Sequence, residues 1–363
     1  MGKTCLILLL FFGVKTSVFS QEFVYRAGLH NFFDNNEFAN CQFGTSQTMA
    51  GVHLVPQVGF EWDAKHRIFA GVDAMREYGS NKVIGYYDLI AYYELDNKPF
   101  RFYMGAFPRK MALDKYPLFF FRDSILNYRP VVNGLFSEYY SEKGDFINIW
   151  LDWTSRQTLT QRETFFLGWS GRYNRHNFYG QHFGYLFHFA GVADSANYTP
   201  ARDNGRMWTA FGADISSATP LDVLDFNAGW AMGFERNRGT DDGWDCHHGF
   251  LSQVKAEYRG LGLFNTFYKG AGQGKYYDEY GSQLYWNDQL YRAKCYNRLD
   301  GYLYFLKTEV ATLKFIFSFH LVGGGMYTEQ QFYAVFDIDN LKKKKPSKKY
   351  RYLWDNWYNK DKS

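Results

Sequence analysis

Side chains able to do chemistry occur in this sequence in two patterns. One is a local cluster: "RGTDDGWDCHHG" brings Asp241, Asp242, Asp245, Cys246, His247 and His248 together in one short segment. Carboxylate, thiolate and imidazole are all metal ligands, which makes Asp241, Asp242, Asp245 and His247 weak candidates for a metal site. Adjacent His247 and His248 would point apart on an extended chain, however, and no second cluster completes a shell. A polar surface loop with no metal and no cofactor is the expected reading.

The other pattern is dispersed. Ionisable residues recur at every second position of otherwise apolar segments, among them Asp88, Arg101, Arg109, Asp152, His182, His188, Asp225, Lys255, Glu257 and Lys314. His53, Asp73 and His320 share this spacing. Side chains two apart on an extended chain share a face, so these groups would line one side of a sheet. If that side encloses water, such charges tune solute and ion preference. No motif adds a reaction to this picture: there is no GxSxG, no HExxH, and "GAGQGK" lacks the hydroxyl residue of a phosphate loop. The expectation is a protein that is not an enzyme, with an Asp–His hydrolase at the outer rim as the minor alternative.

The elements that carry these residues are strands. In "LKFIFSFHLV", Leu313, Phe315, Phe317, Phe319 and Leu321 alternate with Lys314, Ile316, Ser318 and His320. "VHLVPQVGFEW" sets Leu54, Val58 and Phe60 against His53, Gln57 and Glu61, and "INIWLDW" sets Ile147, Ile149, Leu151 and Trp153 against Asn148 and Asp152. "QHFGYLFHF" reads the same way, with Phe183, Tyr185, Phe187 and Phe189 on the apolar parity and His182 and His188 on the polar one. Period-2 alternation of this kind marks amphipathic strands. About sixteen (14–18) can be traced, and short polar turns such as "DAKH", "SEKGD" and "YNRHN" alternate with mostly longer connections, including 31–47, 109–131, 190–205, 235–248 and 269–297. A soluble sandwich needs no such sorting, whereas a transmembrane antiparallel β-barrel has short turns at one end and long loops at the other. The predicted fold is therefore all-β, with the aromatic parity facing lipid. Aromatics make up 21% of a chain whose mean hydropathy is only -0.42, which suits alternating faces.

The two ends are different in kind. Residues 1–20 carry Lys3, an apolar run from Leu6 to Val14 and small Ser20, the pattern of a cleaved signal peptide. That leaves 21–340 as barrel, with Cys41, Cys246 and Cys295 forming at most one disulfide of undetermined pairing. Residues 341–363 hold nine Lys/Arg and two Asp, so +9 − 2 = +7; the whole chain is +4, leaving −3 for the rest. The basic, aromatic tail is expected in the periplasm, as a solvated arm or as a docking segment for a protein partner. A net charge this small gives no reason to expect nucleic acid.

Signal, alternating strands, loop sorting and the late aromatic strand "QFYAVFDI" resemble a Gram-negative outer-membrane β-barrel of porin type, and the "VFS|QEF" context and aromatic richness resemble such proteins from the Bacteroidota. The resemblance implies location in the outer membrane, contact with its lipid, and a long third loop that folds inward as a constriction. Lys115, Phe119, Phe120, Phe121, Arg122 and Asp123 fall on that loop. The expected function is passive passage of small polar solutes, with a docking subunit of a secretion, uptake or assembly complex as the alternative.

Overall fold

The computed structural model describes residues 21–158, 161–192, 199–341 and 350–355; the expected signal segment lies outside them. Sixteen antiparallel strands close on themselves. They are β1 (Glu22–Glu37), β2 (Gln47–Trp62), β3 (His66–Glu77), β4 (Tyr86–Asn97), β5 (Phe100–Pro108), β6 (Val131–Tyr140), β7 (Phe146–Ser155) and β8 (Thr164–Arg175), followed by β9 (Phe178–Phe189), β10 (Arg202–Asp214), β11 (Val223–Asn237), β12 (Asp245–Tyr258), β13 (Leu261–Gly270), β14 (Cys295–Lys307), β15 (Ala311–Val322) and β16 (Gly325–Asp339). Every strand pairs with its sequence neighbour, and β1 meets β16 in register from Arg26↔Asp339 to Glu37↔Thr328. Closure leaves no unpaired edge, which is the condition for β structure in hydrocarbon. Among the described residues no helix is long and apolar enough to cross a membrane.

Alternation puts an apolar row on the outside. Leu54, Val58, Phe60, Ile68, Leu89, Ile147 and Ile149 are each more than half exposed, while their neighbours His53, Gln57, Ile90, Asn148 and Asp152 are buried. On β15, Phe315, Phe319 and Leu321 face outward and Ser318 and His320 inward. The loops sort as the sequence suggested, mostly long at one end and short at the other; at the long-loop end β15 and β16 join through Gly323 and Gly324 alone, both at positive φ. A two-residue hairpin needs that backbone, and glycine adopts it without a steric cost. Among the described residues, that connection is the shortest at this end.

The inner face is not uniformly polar. On β9 the parity is reversed from the sequence reading: Phe183, Tyr185, Phe187 and Phe189 are buried inward, while His182 and His188 lie on the outer wall. The reason is a partner invisible in strand periodicity. Aromatics of the 109–130 loop enter the lumen and pack on this stretch, with Tyr116 against Phe183 at 5.4 Å and Phe121 against Tyr185 at 5.2 Å. His182 is held outside by Thr209 at 2.7 Å and by the Trp169 indole N–H at 2.9 Å. Nearby, a Cβ on Gly168 would come within 2.1 Å of the Trp150 ring, so that glycine lets the indole lie flat on the inner wall.

The three cysteines are free thiols. The tail's described part folds back under the short-turn end. Tyr350 donates to Glu257, the Lys307 N–H donates to Tyr352 Oη at 2.8 Å, and Tyr352 stacks on Trp354 at 5.0 Å. A charge placed midway on the outer row tests which face meets lipid: Phe317→Lys should destabilise the barrel by about 2–4 kcal/mol, read by urea unfolding in bilayers. An effect near zero would contradict a lipid-facing row.

Candidate functional site

Two loops build the interior. The first, 109–130, is anchored where it leaves β5. Arg109, 2% exposed, pairs with fully buried Asp152 at 2.7 Å. It also donates to the Arg129 and Val131 carbonyls, the latter at 2.8 Å. This stitches both stems of the loop to β7. Phe119, Phe120 and Phe121 then occupy the lumen at 5% exposure or less. The second loop, 271–294, comes in from the other side with Tyr285, Trp286, Leu290 and Tyr291, all buried. Phe119 meets Tyr291 at 5.0 Å, and Trp286 meets Phe166 on β8 at 4.8 Å. Polar ties lock the two loops to each other and to the wall: Arg122 N–H donates to the Trp286 carbonyl at 3.1 Å, and the Asn204 amide donates to the Leu284 carbonyl at 2.9 Å. Each such aromatic pair adds about 0.5–1.5 kcal/mol beyond the area it buries, so the plug is a second core.

Cavities remain around the plug, two of them beside β1 and β14 to β16. The inner one, about 930 Å³, is walled by β1, β2, β14 to β16 and the 109–130 loop. It holds a buried His53–Asp73 pair at 2.6 Å, with His53 Nε2 unpartnered. The outer one, about 330 Å³, opens toward the long-loop end between Asp34, Asn36, Asp123, Asp288, His320 and Glu329.

The outer cavity has the richer chemistry. Glu329 Oε2 is hydrogen-bonded to His320 Nε2 and ion-paired with Arg298 Nη2, both at 3.1 Å. With Nε2 carrying the proton, His320 Nδ1 accepts the single Tyr296 hydroxyl proton at 2.8 Å, so the 3.4 Å contact between Tyr296 Oη and Asp288 Oδ2 is closed by a proton on Asp288. The chain thus runs from Asp288 in the second loop through Tyr296 and His320 to Glu329. Beside it, Asp34 accepts from Gln331 at 3.3 Å, and the same amide reaches Asp123 at 3.2 Å. Arg298 also pairs with Asp300 at 2.7 Å and donates to Ser318 Oγ at 3.3 Å. Ser318 Oγ accepts from Arg298, and no hydrogen bond joins it to His320. Burial pushes both loop carboxyls, Asp123 and Asp288, up, with Arg298 opposing the shift. These are acid–base groups in a largely dry, prearranged cluster.

The residues read from the sequence fall in different places. Asp225, Lys255, Glu257 and Lys314 are inward on the β11–β15 wall toward the short-turn end; Lys314 sits over the Tyr302 ring at 4.5 Å. Asp88 takes the Tyr86 hydroxyl at 2.5 Å. Arg101 and Lys115 both engage Glu138, Lys115 at 2.5 Å. Arg109 and Asp152 are the loop anchor, Phe119 to Phe121 the plug, and Arg122 and Asp123 line the outer cavity. His182 and His188 are outside. Of the metal candidates, Asp241 binds the Asn237 N–H at 2.7 Å, His247 stands 3.7 Å from Asp245, and Asp242 is exposed. Among the described residues no group of three or more His, Cys, Asp or Glu is placed to hold a metal.

Asp34, Tyr296, Asp288 and Glu329 were missed because the sequence placed them in connections. β1 runs to Glu37 and β16 starts at Gly325, so both 31–37 and 325–329 are strand. The signal was present: "HNFFDNNE" and "MYTEQQF" alternate, but with polar residues on both faces.

Comparison with known proteins gives this barrel a family. The family model described as "Lipid A 3'-O-deacylase-type" matches residues 19–352, nearly the whole chain. The chain belongs to this family. That overturns the expectation of a protein without catalytic function, since the family is one of enzymes. No curated protein matches the sequence. Among solved structures, OmpTΔL8, a loop L8 deletion mutant of OmpT, an outer membrane protein of Vibrio cholerae, superposes with a TM-score of 0.53 at 6% identity, over 88% of this chain and 99% of that one. Pseudomonas putida OprB gives 0.49 at 7% identity, over 88% and 94%, and Pseudomonas aeruginosa OccK11 gives 0.47 at 8%, over 87% and 96%. What is shared at such identities is the fold, a porin-like outer-membrane barrel; the deacylase-type family match is what reaches chemistry.

Breaking the anchor tests whether the loops make the site. Asp152→Ala should cost about 3–5 kcal/mol, because it strands a buried guanidinium. The loss should appear first as protease cleavage within 109–130 while the barrel still resists heat in detergent.

Proposed function

We propose that this chain is an outer-membrane esterase that removes an ester-linked acyl chain from a lipid A-type glycolipid, and that the outer cavity is where the bond is cut. The observation that carries the reading is the Asp288–Tyr296–His320–Glu329 chain, lining a cavity at the long-loop end in a member of a deacylase-type family. In an outer-membrane barrel the long loops are external, so this cavity would stand at the level of the outer leaflet. The connection beside it is the shortest at this end, since β15 and β16 join by two glycines. Outward Phe319, Leu321 and Met326 give an acyl chain an apolar path up to that lip.

The chemistry follows from the bonds. Water in the cavity attacks the ester carbonyl carbon and passes its proton to Glu329, a carboxylate aimed by Arg298 and His320. The C–O bond to the sugar breaks, the sugar oxygen regains a proton, and a fatty acid leaves. His320 holds Glu329 in position through Nε2–H, and Tyr296 fixes the tautomer by donating to Nδ1. Arg122, Ser124, Thr45 and Gln47 at the same cavity supply donors for the oxygen that turns negative.

Passage of small polar solutes is the weaker reading. Two interlocked aromatic loops fill the cross-section where a porin keeps water, so reconstituted protein should give no conductance steps in planar bilayers. For the esterase, purified protein in mixed micelles with lipid A should release fatty acid, read by mass spectrometry as loss of one acyl mass. Glu329→Gln should lower the rate by about 10²–10⁴-fold, the usual contribution of a positioned acid–base group. Turnover unchanged in Glu329→Gln, in protein that still folds, would remove this site from the reaction.

A further inference from the structure

Four arginines crowd the crest of the barrel where β8 to β11 reach the long-loop end, and none is used by the reaction above. Arg202, at the start of β10, is 5% exposed and points inward. Its guanidinium lies over the Tyr280 ring at 4.0 Å, donates to the Pro200 carbonyl at 3.1 Å and meets exposed Glu279 only at 3.7 Å. Arg162, just before β8, lies over Phe189 at 4.8 Å and donates to Thr199 Oγ1 at 2.6 Å. The two rings are 6.2 Å apart, so the two cations share one aromatic floor. On the outer side of the same crest, Arg236 and Arg238 both hold Asp203, at 3.2 and 2.8 Å, together with His188 at 2.7 Å. The two sides are continuous: Arg238 N–H donates to the Ala201 carbonyl at 2.9 Å.

Clustering like charges is unfavourable unless something of opposite sign offsets it. Asp203 serves the outer pair, and Glu279 touches Arg202 weakly. What remains is a set of buried donors without acceptors: Arg162 Nη1, Arg202 Nε and Arg236 Nε. A buried guanidinium N–H left unbonded is costly, and two on the inner side of the crest, Arg162 Nη1 and Arg202 Nε, point to a missing acceptor there. Burial and the neighbouring Arg202 charge both push the Arg162 guanidinium down, the direction expected of an unanswered cation. An acceptor that meets two planar forks at once, with several oxygens and negative charge, is a phosphate.

We infer that the Arg162–Arg202 crest, flanked by Arg236 and Arg238, binds a phosphate group on the headgroup of an outer-leaflet glycolipid. The site lies across the mouth from the short β15–β16 hairpin. A glycolipid held by its phosphate at the crest would present its sugar over the outer cavity and leave its acyl chains toward bilayer. This inference rests on the esterase reading for the identity of the lipid, but its test does not require turnover.

The full-length protein is placed in phosphatidylcholine nanodiscs doped with phosphorylated lipid A or with the same lipid stripped of phosphate, and bound lipid is counted by native mass spectrometry. The phosphorylated form should be retained in preference, and Arg162→Gln with Arg202→Gln should reduce its retention on the order of tenfold or more, the weight of one or two charge-assisted hydrogen bonds. Arg236→Gln with Arg238→Gln, more exposed and safer for folding, should give a smaller drop in the same direction. Equal retention of the two lipids, or no change in either folded double variant, would overturn the site. Binding of inorganic phosphate without preference between the lipids would overturn the headgroup as its source. Phosphate-dependent retention without any acyl release would leave the crest standing and remove the esterase.

Discussion

A strand in hydrocarbon must pair every backbone N–H and C=O, and that requirement shapes the rest of this molecule. It forces sixteen strands into a closed wall, and closure divides the side chains into an outward set that meets lipid and an inward set that does not. Once the wall satisfies its own backbone, the interior is released from that duty. It can be water, as in a porin, or it can be packed. Here it is packed, because two long loops carry enough aromatic surface to form a core of their own.

The loops depend on a few buried polar contacts at their roots. The Arg109–Asp152 pair sits where the first loop leaves the wall, and its value lies less in net stability than in direction: a buried charge has one acceptable place, so the stem has one acceptable path. With the stem directed, Phe119 to Phe121 meet β8 and β9, the second loop closes over them, and Asp123 and Asp288 are carried to opposite sides of the same outer cavity. The Asp288–Tyr296–His320–Glu329 chain is thus assembled from four separate places: the second loop, β14, β15 and β16. The crest arginines are likewise assembled from the starts and ends of β8, β10 and β11.

Much of the barrel was legible in the sequence. Strand number, loop sorting and the outward row on β2, β4, β7, β11 and β15 follow from period-2 alternation, because lipid imposes its preference on one parity with little tolerance for charge. Where lipid is not the only apolar surroundings, that logic fails. On β9 the inward parity packs on the aromatic plug and is as apolar as an outward row, so His182 and His188 were placed inside when they lie outside. The candidate site was legible only in pieces. His320 stood out as an inward polar residue, but Asp34 and Glu329 were assigned to loops because their strands are polar on both faces near the mouth, where neither lipid nor core constrains them.

What the sequence determined alone is the closed wall and its orientation toward lipid, since those depend on local alternation and on a solvent, the bilayer, that acts on every strand alike. What only the tertiary structure decided is whether the interior is open or packed. That outcome depends on where two loops go when they turn inward, and on which strand ends they bring within hydrogen-bonding distance. Contacts between residues far apart in sequence, such as Gln331 with Asp123 or Tyr296 with Asp288 and His320, leave no periodic trace in the chain that forms them.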